Sequence, residues 1–406
     1  MTAIRKPTIL FVAEAVTLAH LARPAALATG LDPNAFNVVL ACDPRYQSFL
    51  ERLPFPTRSI HSIASDQFLK SVAQGRPIFN RDILRGYVRE DLVLLDAVKP
   101  DAVIGDLRLS LSISARVAGI PYLAITTAYW SPYAEAASPL PELPMNRWLG
   151  TRLSQWLFQL AKPASFAYHA LPLNRVRREY GLPALPPNLC YTYTDGDHTL
   201  YADARELVPT EHIPPNHHYI GPILWSPPVE LPEWWHELPS DRPLVYVTLG
   251  SSGDPSLLKL SLAALADQPL TVIATTAAKA ELGKLPANIR VLSYAPGDKL
   301  AARADLMISN GGSLTVYQSL AAGKPLIGIA SHMDQHLSMM YAERAGVGTR
   351  LRSERVTASS LRESTWRLLA DQQARGKAEA LARAISAYRP SERLAEILRQ
   401  LPRSPG

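Results

Sequence analysis

The chain has 406 residues, 47% hydrophobic and 19% charged, which describes a globular protein of about two domains and excludes a disordered one. Its 42 basic and 36 acidic residues leave a formal charge of +6, scattered along the chain rather than clustered with aromatics, so a nucleic-acid partner is not expected. No apolar run approaches the roughly 20 residues of a membrane-spanning helix, so no integral membrane segment is expected either.

Met1 to Pro7 leads directly into an apolar strand, Thr8 to Ala13, without a signal-peptide pattern. Cys42 and Cys190 lie far apart with no metal-type spacing, which fits a reduced, cytoplasmic setting. Further strands are predicted over Phe36 to Ala41, Ala102 to Gly105 and Tyr122 to Ile125. Helices from about His20 to Gly30 and from about Arg108 to Ala118 alternate with them. Unbroken apolar strands between helices predict a doubly wound α/β domain on a parallel sheet. Asp106 ends its strand and also reads as the N-cap of the helix that follows.

From 126 to 190 the alternation breaks. Tyr129 and Trp130 lead a run of aromatics that includes Trp148, Trp156, Phe166 and Tyr168, mixed with prolines, and it reads as an irregular insertion. Such side chains fill a core or line an apolar ligand cleft. Asp195-Gly196-Asp197 has the spacing of a cation-binding acidic pair, but Asp-Gly before the strand His198 to Tyr201 is turn chemistry, and no metal is expected there. Residues 222–243 are dense in Pro and Trp and predict a stiff connection between a domain over 1–221 and one over 244–385. Residues 386–406 close the chain as a helix with Ser391 as its expected N-cap.

The second domain opens with a strand, Leu244 to Leu249, and the small-residue turn Gly250-Ser251-Ser252-Gly253. Strands over Leu270 to Thr275, Ile289 to Leu292 and Leu306 to Ser309 follow. Asn310-Gly311-Gly312-Ser313 then forms a glycine turn into a helix over Leu314 to Ala322, closed by Gly323-Lys324-Pro325, before a strand over Leu326 to Ala330. Such a turn offers main-chain N–H groups and a helix N-terminus to a phosphate, with Ser313 and Thr315 adding hydroxyls; it also serves as an ordinary strand-to-helix turn. Asp334 and Gln335 supply a carboxylate and a carboxamide suited to sugar hydroxyls, although Asp334 also suits a helix N-cap.

The succession Asn310-Gly311-Gly312-Ser313-Leu314-Thr315-Val316-Tyr317-Gln318, Gly323-Lys324-Pro325, Asp334-Gln335 and Gly346-Val347-Gly348 resembles the donor-binding motif of family 1 glycosyltransferases with the GT-B fold. The chain has Asn310 where the family usually has His, and Gln318 where it usually has Glu. The resemblance implies two Rossmann-like domains facing a central cleft, and donor contacts from Gly250, Ser251, Ser252, Tyr294, Asn310 to Ser313, Thr315, Gln318, Asp334 and Gln335. It also implies acceptor contacts in the aromatic region, at Tyr129 and Trp130, and a catalytic His20 in the context Ala19-His20-Leu21-Ala22-Arg23-Pro24, partnered by Asp106. The activity implied is inverting, metal-independent transfer of a hexose from a nucleoside-diphosphate sugar to a hydroxyl of a small apolar or aromatic acceptor. The donor is UDP- or dTDP-linked, UDP-glucose first, and no cofactor is required. A nucleotide-sugar epimerase of the same fold, and a nucleotide-sugar-binding accessory protein without catalysis, are the alternatives.

Overall fold

The structure, a computed structural model, describes residues 5–134, 138–142, 146–250, 253–277 and 282–402. Two compact units emerge from the contacts: residues 1–136, 156–223 and 388–406 in the first, 137–155 and 224–387 in the second.

In the first unit β1 (Thr8–Ala13) is followed by α1 (Leu18–Thr29), β2 (Asn37–Cys42), α2 (Gln47–Leu50) and β3 (Thr57–Ser59). Next come α3 (Ser65–Ala73), α4 (Arg81–Val98), β4 (Ala102–Asp106), α5 (Leu111–Ala118) and β5 (Tyr122–Thr126). The long α6 (Asn146–Glu179), whose residues from Trp156 on belong to this unit, then α7 (Leu189–Tyr193), β6 (His198–Tyr201) and β7 (His217–Tyr219) complete its main run. The strands form one parallel sheet in the order β3-β2-β1-β4-β5-β6-β7. Burial on both faces explains why β1, β4 and β5 carry apolar runs through their middles rather than alternating. The order reverses between β1 and β4, where Ala13 lies opposite Asp106. That reversal is a topological switch point, where parallel α/β sheets bind ligands beyond their strand carboxyl ends.

The second unit holds β8 (Leu244–Thr248), α8 (Pro255–Leu265), β9 (Thr271–Thr275), β10 (Ile289–Leu292), α9 (Gly297–Arg303) and β11 (Leu306–Ser309). It continues with α10 (Ser313–Ala321), β12 (Leu326–Ala330), α11 (Met333–Arg344), β13 (Gly348–Arg352), α12 (Ala358–Ala370) and α13 (Gln372–Ser386). Its parallel sheet runs β10-β9-β8-β11-β12-β13, with its own switch point between β8 and β11. The doubly wound α/β class predicted from the apolar strands is borne out in both units. Residues 224–243 pack along this unit: Trp235 is buried, and its carbonyl accepts from Arg303 Nη1. The last helix, α14 (Pro390–Gln400), belongs to the first unit and sinks Leu394, Ile397 and Leu398 into the core beside β1.

Three local expectations are corrected. Residues 146–179 are not irregular; they form α6, whose Pro163 and Pro172 and two apolar faces hid its period from the sequence. Helix α5 starts at Leu111 after Ser110, not at Arg108, so Asp106 is not its cap. Ser391 sits inside α14 rather than capping it, and its hydroxyl donates to the Leu27 carbonyl at 3.3 Å; Arg389 occupies the cap position.

Candidate functional site

The first unit's switch point carries a charged cluster. Asp106 is the last residue of β4 and 1% exposed, facing α1. His20 and Arg23, three residues apart on α1, share one helix face and both reach it. His20 Nδ1 lies 2.7 Å from Asp106 Oδ1, while Arg23 donates from Nε to Oδ2 at 2.7 Å and from Nη2 to Oδ1 at 2.8 Å. Sharing Oδ1 brings Arg23 Nη2 to 2.9 Å from His20 Nδ1. Burial alone pushes the Asp106 carboxyl up, but the attraction of Arg23 and then His20, with their hydrogen bonds, outweighs it and holds Asp106 below its ordinary value. A permanent carboxylate at Nδ1 selects the imidazole tautomer that leaves Nε2 as a base. Arg23 went unread in the sequence, although its spacing from His20 was the available signal.

Behind this cluster the chain turns sharply. Leu107 adopts a left-handed conformation at φ 58, unusual for a branched side chain, between Asp106 and Arg108. Fully buried Arg108 binds Glu14 at 3.1 Å and Asp91 at 3.0 Å, and its guanidinium lies 3.7 Å above the Tyr87 ring. Burial raises Glu14 and Asp91 despite that cation. Glu14 directly follows β1, so this ionic core braces the loops on both sides of the switch point.

The second unit's switch point is built of main chain. Thr248 of β8 lies opposite Ser309 of β11, which sets the turn after each strand side by side. A side chain on Gly250 would meet Asn310 Nδ2 at 3.8 Å. Asn310 Oδ1 accepts from Gly312 N at 3.1 Å, and Ser309 Oγ accepts from Gly311 N at 3.0 Å, so the two side chains shape the turn. Gly311 has φ +79, and a Cβ there would sit 2.6 Å from Met339 Cγ, so no other residue fits. Gly312 occupies the N-cap of α10 and has no side chain to cap its first amides. Those amides and the helix dipole suit an oxyanion.

The structure places the remaining expected donor residues less uniformly. Ser251 and Ser252 lie outside the described residues. Ser313 opens α10, but the Thr315 hydroxyl donates to the Gly312 carbonyl at 2.9 Å, so its proton is already used by the turn. Gln318 is buried, and its Nε2 donates to the Trp225 carbonyl at 2.7 Å. It also packs on Gly297, where a Cβ would come within 2.9 Å of Nε2. Tyr294, three residues before Gly297, is 37% exposed. Asp334 lies in the first turn of α11; the neighbouring Gln335 is buried and its Oε1 accepts from Ser331 N and Oγ, leaving its amide nitrogen to donate.

On the acceptor side, Tyr129 is buried and Trp130 half-buried, its ring 5.3 Å from Tyr193 and 6.5 Å from Phe166. Tyr193 in turn lines a small crevice of about 20 Å³ with Phe79, Leu109, His169, Leu173 and Leu189. Burial holds the His169 imidazole below its ordinary value. Trp148, Trp156 and Tyr168 do not line this crevice; they stand exposed on α6. The acidic pair of the sequence is a structural turn: Asp195 is bound by Arg116 at 3.0 Å and by Arg177, and Asp197 accepts from Tyr122 N at 2.9 Å.

Comparison with known proteins fits this geometry. Residues 259–401 match the family model described as Erythromycin biosynthesis protein CIII-like, C-terminal domain. A PGL/p-HBAD biosynthesis glycosyltransferase of Mycobacterium tuberculosis is 51% identical over 381 residues, 94% of this chain and 89% of the relative. A PGL/p-HBAD biosynthesis rhamnosyltransferase of Mycobacterium bovis is 51% identical over 383 residues, 94% of this chain and 85% of its own length. Among solved structures, the spinosyn rhamnosyltransferase SpnG complexed with thymidine diphosphate aligns with a TM-score of 0.70 at 18% identity, over 97% of this chain and 100% of that one.

Proposed function

The chain belongs to the family 1 glycosyltransferases of the GT-B fold, and on that premise we propose that it transfers a rhamnose-type sugar from a thymidine-diphosphate donor to a hydroxyl of an apolar, glycolipid acceptor. The observation that carries the catalytic part is the 2.7 Å contact of His20 with a buried carboxylate at the switch point of the first sheet. The choice of sugar and acceptor class is supported by the names of relatives matching nearly the whole chain, and the choice of nucleotide by the complex of a structural neighbour.

In this reading His20 Nε2 takes the proton from the acceptor hydroxyl as its oxygen attacks the anomeric carbon. Asp106 stabilises the resulting imidazolium, and Arg23 keeps Asp106 ionised and in place. The bond to the diphosphate oxygen breaks on the opposite side, so the anomeric configuration inverts. The growing diphosphate charge is received by the amides opening α10, by the turn around Gly311 and by the Asn310 amide. In this scheme Asp334 and the Gln335 nitrogen meet the sugar hydroxyls. No step in this scheme calls for a metal.

A donor panel tests the reading. Thymidine diphosphate should raise the melting temperature more than uridine diphosphate at equal concentration, because only a ligand that binds the folded state stabilises it. With the better nucleotide, the rhamnose-type donor should turn over on a lipid-linked phenol. A shift with uridine diphosphate alone, and turnover only from UDP-glucose, would overturn the choice of donor while leaving the transferase intact.

A further inference from the structure

Helix α6 is apolar on two opposite faces, and only one of them is covered. Phe158, Phe166, Ala170, Leu173 and Val176 are buried against the protein. The other face presents Leu153 at 47% exposure, Trp156 at 60%, Leu160 at 63%, Tyr168 at 49% and Leu171 at 40%, with Ala161 and Ala164 exposed between them. Leu153, Trp156 and Leu160 follow the three-and-four spacing of one helical stripe, and Leu171 continues it three turns on. Gly150, at φ 72, breaks the first turn, so the stripe belongs to the continuous helix beyond it. A helix with apolar residues all round is ordinarily buried, and a contiguous exposed patch of this kind marks an interaction surface.

The charges on the helix select the occupant. From Asn146 to Arg178 there is no Asp or Glu, and Glu179 at the helix end is held by Arg81 and Arg85, while Arg152, Arg175 and Arg178 flank the stripe. Trp156 and Tyr168 have the amphipathic rings that settle at the level of lipid headgroups. An apolar stripe with aromatic anchors and cations alone around it is the composition of a helix lying in a membrane interface. A second copy of this chain is a poor fit, because a two-fold pairing of this face would bring like cations together while the one acid of the helix, Glu179, is already held by Arg81 and Arg85. No helix among the described residues is long and apolar enough to cross a bilayer, so the contact is a surface one.

We propose that the outer face of α6 docks the enzyme on an anionic lipid surface through Leu153, Trp156, Leu160 and Leu171, with Arg152 and Arg175 reaching the headgroups. The inference stands on this face and not on the choice of sugar or acceptor, although surface docking would bring the enzyme to a lipid-linked acceptor.

The test is flotation of the full chain with phosphatidylcholine vesicles, with and without phosphatidylglycerol, containing no acceptor. The wild type should float with the anionic vesicles, and about tenfold less with phosphatidylcholine alone or at high salt. The variant L153S/W156S/L160S should lower flotation by roughly tenfold or more while transfer to a water-soluble phenol stays within about twofold, which also shows that it folds. The variant R152Q/R175Q should weaken only the component of binding that responds to salt. Absence of flotation by the wild type would overturn the proposal, as would equal flotation by the apolar variant. A concentration-dependent dimer abolished by that variant, without vesicle binding, would instead assign the face to a second copy.

Discussion

The two switch points occupy the same position in two sheets of the same winding, yet they are built from opposite materials. The first is made of side chains: His20, Arg23 and Asp106 at its edge, with Arg108, Glu14 and Asp91 buried behind. The second is made of main chain: Gly250, Gly311, Gly312 and the uncapped start of α10, with Asn310 and Ser309 holding the turn. A proton must be moved by a titratable group whose tautomer is fixed, which requires a charged partner held in one geometry. A diphosphate already carries its charge, and it is best met by amides that need no reorganisation. In the proposed function this contrast gives acceptor activation to the first unit and donor binding to the second.

The largest effect should come from the first unit. His20→Ala should lower kcat by on the order of 10³-fold while the affinity for thymidine diphosphate holds; equal losses in both would erase the division. Gly311→Ala should show the reverse pattern. A Cβ 2.6 Å from Met339, at φ +79, displaces the turn, so donor KM should rise by roughly tenfold to a hundredfold. An unchanged donor KM would remove that turn from the site.

Arg23→Met sharpens the comparison through pH. In the wild type the lowered Asp106 carboxyl contributes stability that is present above its unfolded value and is lost as pH falls through its folded value. Without Arg23, burial is opposed by His20 alone and the carboxyl rises. The acid limb of kcat/KM should then move to higher pH, and acid unfolding should begin at higher pH. A profile that only scales down, with its limb unmoved, would reduce Arg23 to a structural contact.

Smaller effects are expected at Asp334. Asp334→Ala should reduce discrimination between sugars by about tenfold while binding of the bare nucleotide changes little, since a carboxylate meets only the sugar hydroxyls in this account. Parallel loss of both would misplace the sugar. EDTA should leave turnover unchanged, and the measurement is an initial rate with and without added magnesium; a metal requirement would contradict a diphosphate held by amides and helix dipole alone.

What the sequence made legible follows from range. Strands such as Leu306–Ser309 and the glycine turn behind them are local patterns, and they lie where the apolar run and the glycines put them. The His20–Asp106 pair joins residues 86 apart, and it was reached through family resemblance rather than periodicity. Arg23 was visible as a residue three places from His20, but nothing local shows that its guanidinium turns to a strand end far along the chain. Gln318 teaches the same lesson: its motif position implied a donor contact, and nothing local shows that its amide turns to a carbonyl 93 residues away. Helix α6 was hidden because apolar residues on both faces and two internal prolines erase a one-sided period.

Hydrogen exchange of the full chain with and without thymidine diphosphate tests the central assignment most directly. The account predicts slowed exchange across 309–316 and around Gly250, with 18–24 unchanged. Protection confined to 18–24, with the turn at Gly311 exchanging as before, would contradict it.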